Sequence, residues 1–548
     1  MSFKNLWGAI LFFVFAVLPL TAQPEPKPKS QTLNMLVPGL GSLHHAVTTS
    51  NPEAQAFFDQ GLSLIYAFNH DDAARSFRHA LELDPKCAMA WWGVALATGP
   101  NYNDTDIGGE RGKAAYEAIQ KARELESLIT PVEKTYIEAL AQRFSANPKT
   151  AQQKLFESYR DAMAQLYKQF PDDADAGTLY AESIMDLHPW QLWTADGKPA
   201  EGTEELIRVL QLVLARFPDH PGANHFYIHA VEASPHPELA LASADRLGGL
   251  TPGAGHLVHM PSHIYVRVGD YPNAALANQK ASAVDEAYIG SYHATGAYPS
   301  MYYSHNLHFL AYAAAMEGNL KGALDATSRL ETNIASHHGM SSMEQFNITR
   351  MVVLVRLARW QEITKLPQPE SRLHVTNMAW HFARGMAYAA QGQPGRAEDE
   401  RKSLAKLSAA VTPDEPFGFN RVREVMGIAL NMLDAKIDST RHDYRAAVTE
   451  LDKAVKTYDA LHYDEPPDWY LPPREQLGAV LLASGKAAEA EEVFRADLRQ
   501  NPNNGRSLFG LAEALKAQGK TNEAAETASR FQESWKNADV QLQIQDLI

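Results

Sequence analysis

The sequence predicts an all-α solenoid of helical hairpins, and three observations carry that prediction. Small and aromatic residues recur at fixed places in windows of about 34 residues. Two successive windows, from Pro221 and Gly255, begin one such length apart. No strand-type alternation or hairpin signal of any length competes with the helical spacing. A chain of 548 residues would ordinarily suggest three or four domains. A repeat array absorbs the same length as one continuous stack.

At the start of the chain, Lys4, the apolar run Leu6 to Leu20 and the small-residue site Leu20-Thr21-Ala22 read as a cleavable secretion signal over 1–22. The apolar run is about 15 residues, short of the roughly 20 that span a bilayer. Gln23 to Ser30, with three prolines and two lysines, begins a spacer and N-terminal arm over 23–52, in which His44 and His45 sit just before the first repeat. The expected location is therefore periplasmic or extracellular. Cys87 is the single cysteine, so no intramolecular disulfide can form and stability must come from burial.

The first clear repeat opens an N-terminal segment, 53–173. From Ala54, residues Phe57, Gly61, Ala73, Phe77, Ala80 and Pro85 fall at positions 4, 8, 20, 24, 27 and 32. Small residues at 8 and 20 let two antiparallel helices approach, aromatics at 4 and 24 fill the gap, and the proline stops the second helix. A helix beginning near Ala88 ends at the turn Gly99-Pro-Asn-Tyr-Asn103. A middle, histidine-rich segment, 174–340, begins with a degenerate window at Ala174 that carries Glu182 at position 9. An insertion with Trp190 and Trp193 follows. The windows from Pro221, Gly255 and Ser304 come next, their second helices opened by Ala240, Ala274 and Ala323. In the C-terminal segment, 341–548, a window from Met378 has Ala397 in the same role. From Leu471, residues Gly478, Ala490, Phe494 and Pro502 fall at positions 8, 20, 24 and 32, and the window from Gly505 has Leu508 and Ala524 at 4 and 20.

This pattern resembles the tetratricopeptide repeat (TPR) over most of residues 53 to 535. The resemblance implies a right-handed superhelix whose concave groove is lined by positions 2, 5, 9 and 12 of each first helix. It specifies architecture and leaves chemistry open. The phrases GHLVHMPSHIY and WYLPPREQLG resemble a narrower group of exported bacterial repeat proteins.

Histidine and glutamate occupy those groove positions in three consecutive windows: His225, His229 and Glu232; then His256, His259 and His263; then His305 and His308. Spacings of three and four place such residues on one helix face. Ten of the 21 histidines lie between His220 and His308, so the clustering is local. Imidazoles with a carboxylate suit copper, zinc or iron, whereas magnesium and calcium prefer oxygen. Eight potential ligands exceed the needs of one ion, which implies two metals or an outer shell. Asn224, Asn306, Glu182 and His293 are candidate outer-shell or groove residues. The other reading is a polar groove wall that recognises a peptide or an envelope protein partner.

Pro261, between His259 and His263, is expected to delay or kink the helix and to leave His256 and His259 on a loop. Residues Ile289 to Tyr303, with Tyr292, His293, Tyr298, Tyr302 and Tyr303, are expected to form an irregular loop over the groove. Net charge of −15 argues against a nucleic-acid partner. There is no HExxH, Walker-type glycine loop, CxxC pair or GxSxG elbow. The sequence therefore predicts either an exported metalloprotein, oxidative or hydrolytic, or a non-enzymatic adaptor.

Overall fold

The structure, a computed structural model, describes residues 33–548 except 107, 148, 293, 295 and 337–343. The expected signal, 1–22, the spacer to residue 32 and His293 lie outside the described residues. Among the described residues the chain is all-α, with one two-residue hairpin pairing Pro416–Phe417 with Asn420–Arg421. No described helix is long and apolar enough to cross a membrane.

Contacts divide the chain into two compact units. The first holds residues up to Val37 and His44–Pro189. The second holds Pro38–Leu43 and Trp190–Ile548. The helix Ala174–Met185, placed by the sequence reading in the histidine-rich segment, belongs to the first unit.

Both units use the same packing device. In the first, Phe77 fills the space between Pro52–Tyr66 and Ala88–Thr98; a Cβ added at Gly61 or Gly93 would lie 2.6 or 2.5 Å from its ring. In the second, Phe494 stands in the same way between Gly478 and Gly510, at 2.6 and 2.2 Å. One buried ring thus fixes the approach of three successive helices, and glycine is required because any larger residue overpacks.

Residues 44–49 of the N-terminal arm are pinned within the first unit. His44 Nδ1 meets Asp59 at 2.7 Å, His45 Nδ1 meets Asp175 at 2.8 Å, Thr48 donates to Glu133 and Thr49 donates to Asp84. His45, Asp173 and Asp175 also cluster at metal-ligand spacing. Their carboxylate oxygens already accept from His45, Tyr66, Tyr136 and the backbone amides of residues 175 and 176, so this cluster is a folding lock.

In the second unit the three histidine windows become the helices Pro221–Glu232, Gly255–His259 with Pro261–Val268, and Tyr303–Met316. Pro261 kinks the middle window without unravelling it. Met260 keeps helical dihedrals, φ −51° and ψ −34°, and the Ser262 hydroxyl donates to the His259 carbonyl at 2.7 Å across the break. His256 and His259 therefore sit on a helical turn and not on a loop. The expected tyrosine-rich loop is also mostly helical. Tyr271–Tyr292 continues through Gly290, and a π-helical turn, Tyr298–Tyr302, leads straight into Tyr303–Met316. A single helical glycine costs only about 1 kcal/mol, which packing outweighs.

Candidate metal centre

Six of the predicted histidines meet in two groups of three. His225, His229 and His256 form one, and His259, His263 and His305 the other; within each, three potential ligand atoms lie within 4.8 Å of one another. Nε2 of His225 is 3.2 Å from Nε2 of His256, and Nε2 of His259 is 2.8 Å from Nε2 of His263. Facing imidazoles of the two groups, His256 with His259 and His229 with His263, have centroids 5.8 and 5.7 Å apart. The groups adjoin because His225 and His229 are one turn apart on a single helix, and the kinked pair of helices presents His256 to one side and His259 and His263 to the other.

Glu232 joins the groups. One carboxylate oxygen meets His229 Nδ1 at 2.7 Å and the other meets His263 Nδ1 at 2.5 Å. Although burial opposes it, these two imidazoles hold the carboxyl well below the usual carboxylate range. Burial also lowers His263, yet Glu232 outweighs it and raises that imidazole. His229 stays lowered, since burial prevails over the same carboxylate. Burial, then neighbouring imidazoles, holds His256, His259 and His305 well below the ordinary value. Neutral imidazole is the metal-binding form.

The hydrogen-bond pattern fixes tautomers. His259 Nδ1 is 2.6 Å from the Asn278 carbonyl oxygen, and Asn278 is oriented because its amide donates to the Ala274 carbonyl. An acceptor opposite Nδ1 requires the proton there and leaves Nε2 as a lone pair. The same reasoning applies to His263 beside Glu232. With both rings neutral, two lone pairs face each other at 2.8 Å, and His305 brings a third imidazole to the same point. One shared proton would relieve two of the three. A metal ion accommodates all three: bonds of about 2.0–2.1 Å in tetrahedral geometry separate nitrogens by roughly 3.3 Å.

The other predicted residues have different surroundings. His308, about one turn beyond His305 on its helix, stacks on Tyr470 with centroids 5.3 Å apart and meets Phe346 edge-on; burial lowers it to about 3. Asn224 donates to the carbonyls of Pro218 and His220, tying down the start of the first histidine helix. Asn306 donates to Asp285 at 2.6 Å. Glu182 lies in the first unit, buried beside Arg143 and Asp186.

Sequence reasoning missed a second layer. Asn278, Ser282 and Asp285 are buried on the Tyr271–Tyr292 helix at spacings of four and three, a periodicity visible in the sequence. Asp285, raised to about 7 by burial, accepts from Tyr298 and Asn306 and fills the space where a Gly255 side chain would be. Tyr463 donates to Glu465 and reaches Glu232 at 3.4 Å. Glu465 is 3% exposed and raised to about 7 by burial, and its Oε2 has no hydrogen-bond partner. These two lie in a proline-rich connector with no helical spacing to advertise them. Arg267 donates to the Glu232 carbonyl at 2.8 Å and holds the helix end carrying that carboxylate.

Comparisons with known proteins identify repeats at both ends. Residues 58–97 and 481–539 each match a family model described as tetratricopeptide repeat. No curated protein matches the sequence. Among solved structures, the human IFIT1 dimer with m7Gppp-AAAA is 13% identical, with a TM-score of 0.31 over 89% of this chain and 91% of that one. Yeast Tom70 is also 13% identical, with a TM-score of 0.29 over 90% and 93%.

Proposed function

We propose that this tetratricopeptide-repeat chain is an exported metalloprotein whose second unit holds two transition-metal ions, copper, zinc or iron. One ion is held by His225, His229 and His256, and the other by His259, His263 and His305. Glu232 is the shared carboxylate that orients a ligand in each set. The observation that carries this reading is the pair of Nε2 atoms facing each other at 2.8 Å in a largely buried site, with a third imidazole converging on them. Six imidazoles with no thiolate in reach match the softness preferred by these metals.

Three protein nitrogens per ion is the pattern of catalytic sites, because a coordination position stays open for water or substrate. Glu465, buried and raised to about 7, stands in the second layer as a group able to accept or release a proton near neutral pH. The repeats matched at 58–97 and 481–539 make the chain a protein-binding scaffold in outline, and recruitment of an envelope partner belongs to those ends.

The test is X-ray absorption on untagged protein reconstituted with copper(II) or zinc. The reading requires a first shell dominated by imidazole nitrogen near 2.0 Å, with the multiple-scattering signature of histidine. An all-oxygen shell, or an imidazole shell that persists when His225, His229, His259 and His263 are all replaced by alanine, would refute it.

A further inference from the structure

The two groups of histidines differ in how they meet solvent. His225, His229 and His256 are 0, 2 and 3% exposed. Aromatic rings enclose them: Phe226 lies beside His225 with centroids 5.4 Å apart, Trp190 stands edge-on to His229 at 5.6 Å, and Tyr302 stands edge-on to His256 at 5.1 Å. In the second group His259 and His263 are equally buried, but His305 is partly exposed. Of the six imidazoles it alone reaches solvent.

The opening follows one face of one helix. From Tyr302 to Phe309 only Tyr302, His305 and His308 are partly exposed, and the five other residues are buried. A spacing of three places these rings in a row along a single face. The row is narrow and its flanks are held: Asn306 donates to Asp285 at 2.6 Å, and Asn333 donates to the Ser304 hydroxyl at 2.8 Å. Phe309, fully buried, packs against all three imidazoles of the second group, with centroids 5.1 Å from His259, 5.1 Å from His263 and 5.8 Å from His305. That side of the group is therefore closed by an apolar wall, which supplies no fourth ligand. His308 stands about one turn beyond His305 with its ring stacked on Tyr470, and neither ring nitrogen has a hydrogen-bond partner among the described residues.

We propose that the ion held by His259, His263 and His305 is the one open to exogenous ligands, that it binds a small anion entering along the row of Tyr302, His305 and His308, and that His308 donates a hydrogen bond to that anion. The ion held by His225, His229 and His256 is enclosed and takes no ligand from solvent. The assignment rests on the metal centre proposed above. Charge selects an anion: two divalent cations against the single carboxylate Glu232 leave the centre positive, and a neutral imidazole at His308 adds one N–H donor. Width selects a small one, since the row is a single side chain wide between buried neighbours. A charge-assisted hydrogen bond from outside the ligand set then separates anions from neutral molecules of the same size.

The probe is azide, titrated into full-length copper(II)-reconstituted protein and followed by charge-transfer absorbance and electron paramagnetic resonance. Copper is counted on each sample before azide is added, so failure of the centre and failure of the assignment are read separately. A parent chain with two coppers is expected to bind one azide. The triple-alanine variant of His225, His229 and His256, which keeps the second group, should still bind it, and that of His259, His263 and His305 should not. His308→Phe keeps the stack on Tyr470 and removes the donor, and its azide affinity should fall about tenfold at unchanged copper content. The proposal is overturned if the two-copper parent binds no azide or two, if binding is lost with the first group or survives loss of the second, or if His308→Phe binds azide as the parent does.

Discussion

At the scale of single residues, Glu232 is the pivot. Its two oxygens set the tautomers of one histidine in each group, so its contribution is orientation, and such outer carboxylates typically account for 10- to 100-fold in metal affinity. Glu232→Gln keeps the shape but replaces one acceptor with a donor. Competition against a chelator should show affinity falling by about that factor for both ions; a loss confined to one ion would mean that the carboxylate serves a single group. In the first unit, Glu182 gives a pH prediction. Burial, then the charge of Asp186, raises it from 4.5 to about 8, against the pull of Arg143. Between those values the folded state keeps a proton that the unfolded chain has lost, so this group's contribution to stability falls as pH rises through that window. Glu182→Gln removes the titration. Its Tm relative to the parent should therefore climb from pH 5 to pH 8, and parallel Tm curves would contradict the assignment.

At the scale of elements, the Gly255–His259 turn decides whether the two groups form. A Cβ on Gly255 would lie 1.8 Å from Asp285 Oδ1, and Asp285 cannot swing away because Tyr298 and Asn306 hold it. Gly255→Ala should destabilise the unit by about 1–3 kcal/mol and lower its metal content by displacing His256 and His259. Gly427→Ala, in a helix with nothing near the added carbon, is the control: it should leave metal content unchanged and, by removing a helical glycine, raise stability by up to about 1 kcal/mol in calorimetry. The same turn marks how far the sequence could be read. The 3.6-residue spacing placed His225, His229 and Glu232 on one face, and repeat position brought His256, His259, His263 and His305 alongside. Pro261 argued for a broken stripe because local propensity counts the lost backbone bond, whereas packing and the Ser262 hydroxyl keep the turn helical. Asn278 was missed, although it stands as a polar step on an alanine-rich helix face. Tyr463 and Glu465 were not legible, since an irregular connector has no period and their place depends on helices far away in sequence.

At the scale of the whole molecule, hairpin stacking is held by rings between glycines and by a few buried charge networks. In the second unit Arg356 and Arg506 converge on Glu475, at 2.9 and 2.5 Å, and all three side chains are almost fully buried. Glu475 lies far in sequence from Arg356, so this network closes a long stretch of the stack. Removing the one anion leaves two buried guanidinium groups unbalanced, and Glu475→Gln should cost about 3–5 kcal/mol in denaturant unfolding; a change under about 1 kcal/mol would show the network to be replaceable. The repeat pattern was most legible at the two ends, where glycine and phenylalanine positions follow the packing rule. It faded in the middle, where groove positions are given over to histidine. The most direct measurement of the central claim is elemental analysis by mass spectrometry of untagged, reconstituted protein, beside two triple-alanine variants: one of His225, His229 and His256, the other of His259, His263 and His305, each shown to be folded by circular dichroism. The two-group centre predicts two ions per parent chain and one in each variant. Absence of metal from the parent, or full content in both variants, would contradict it.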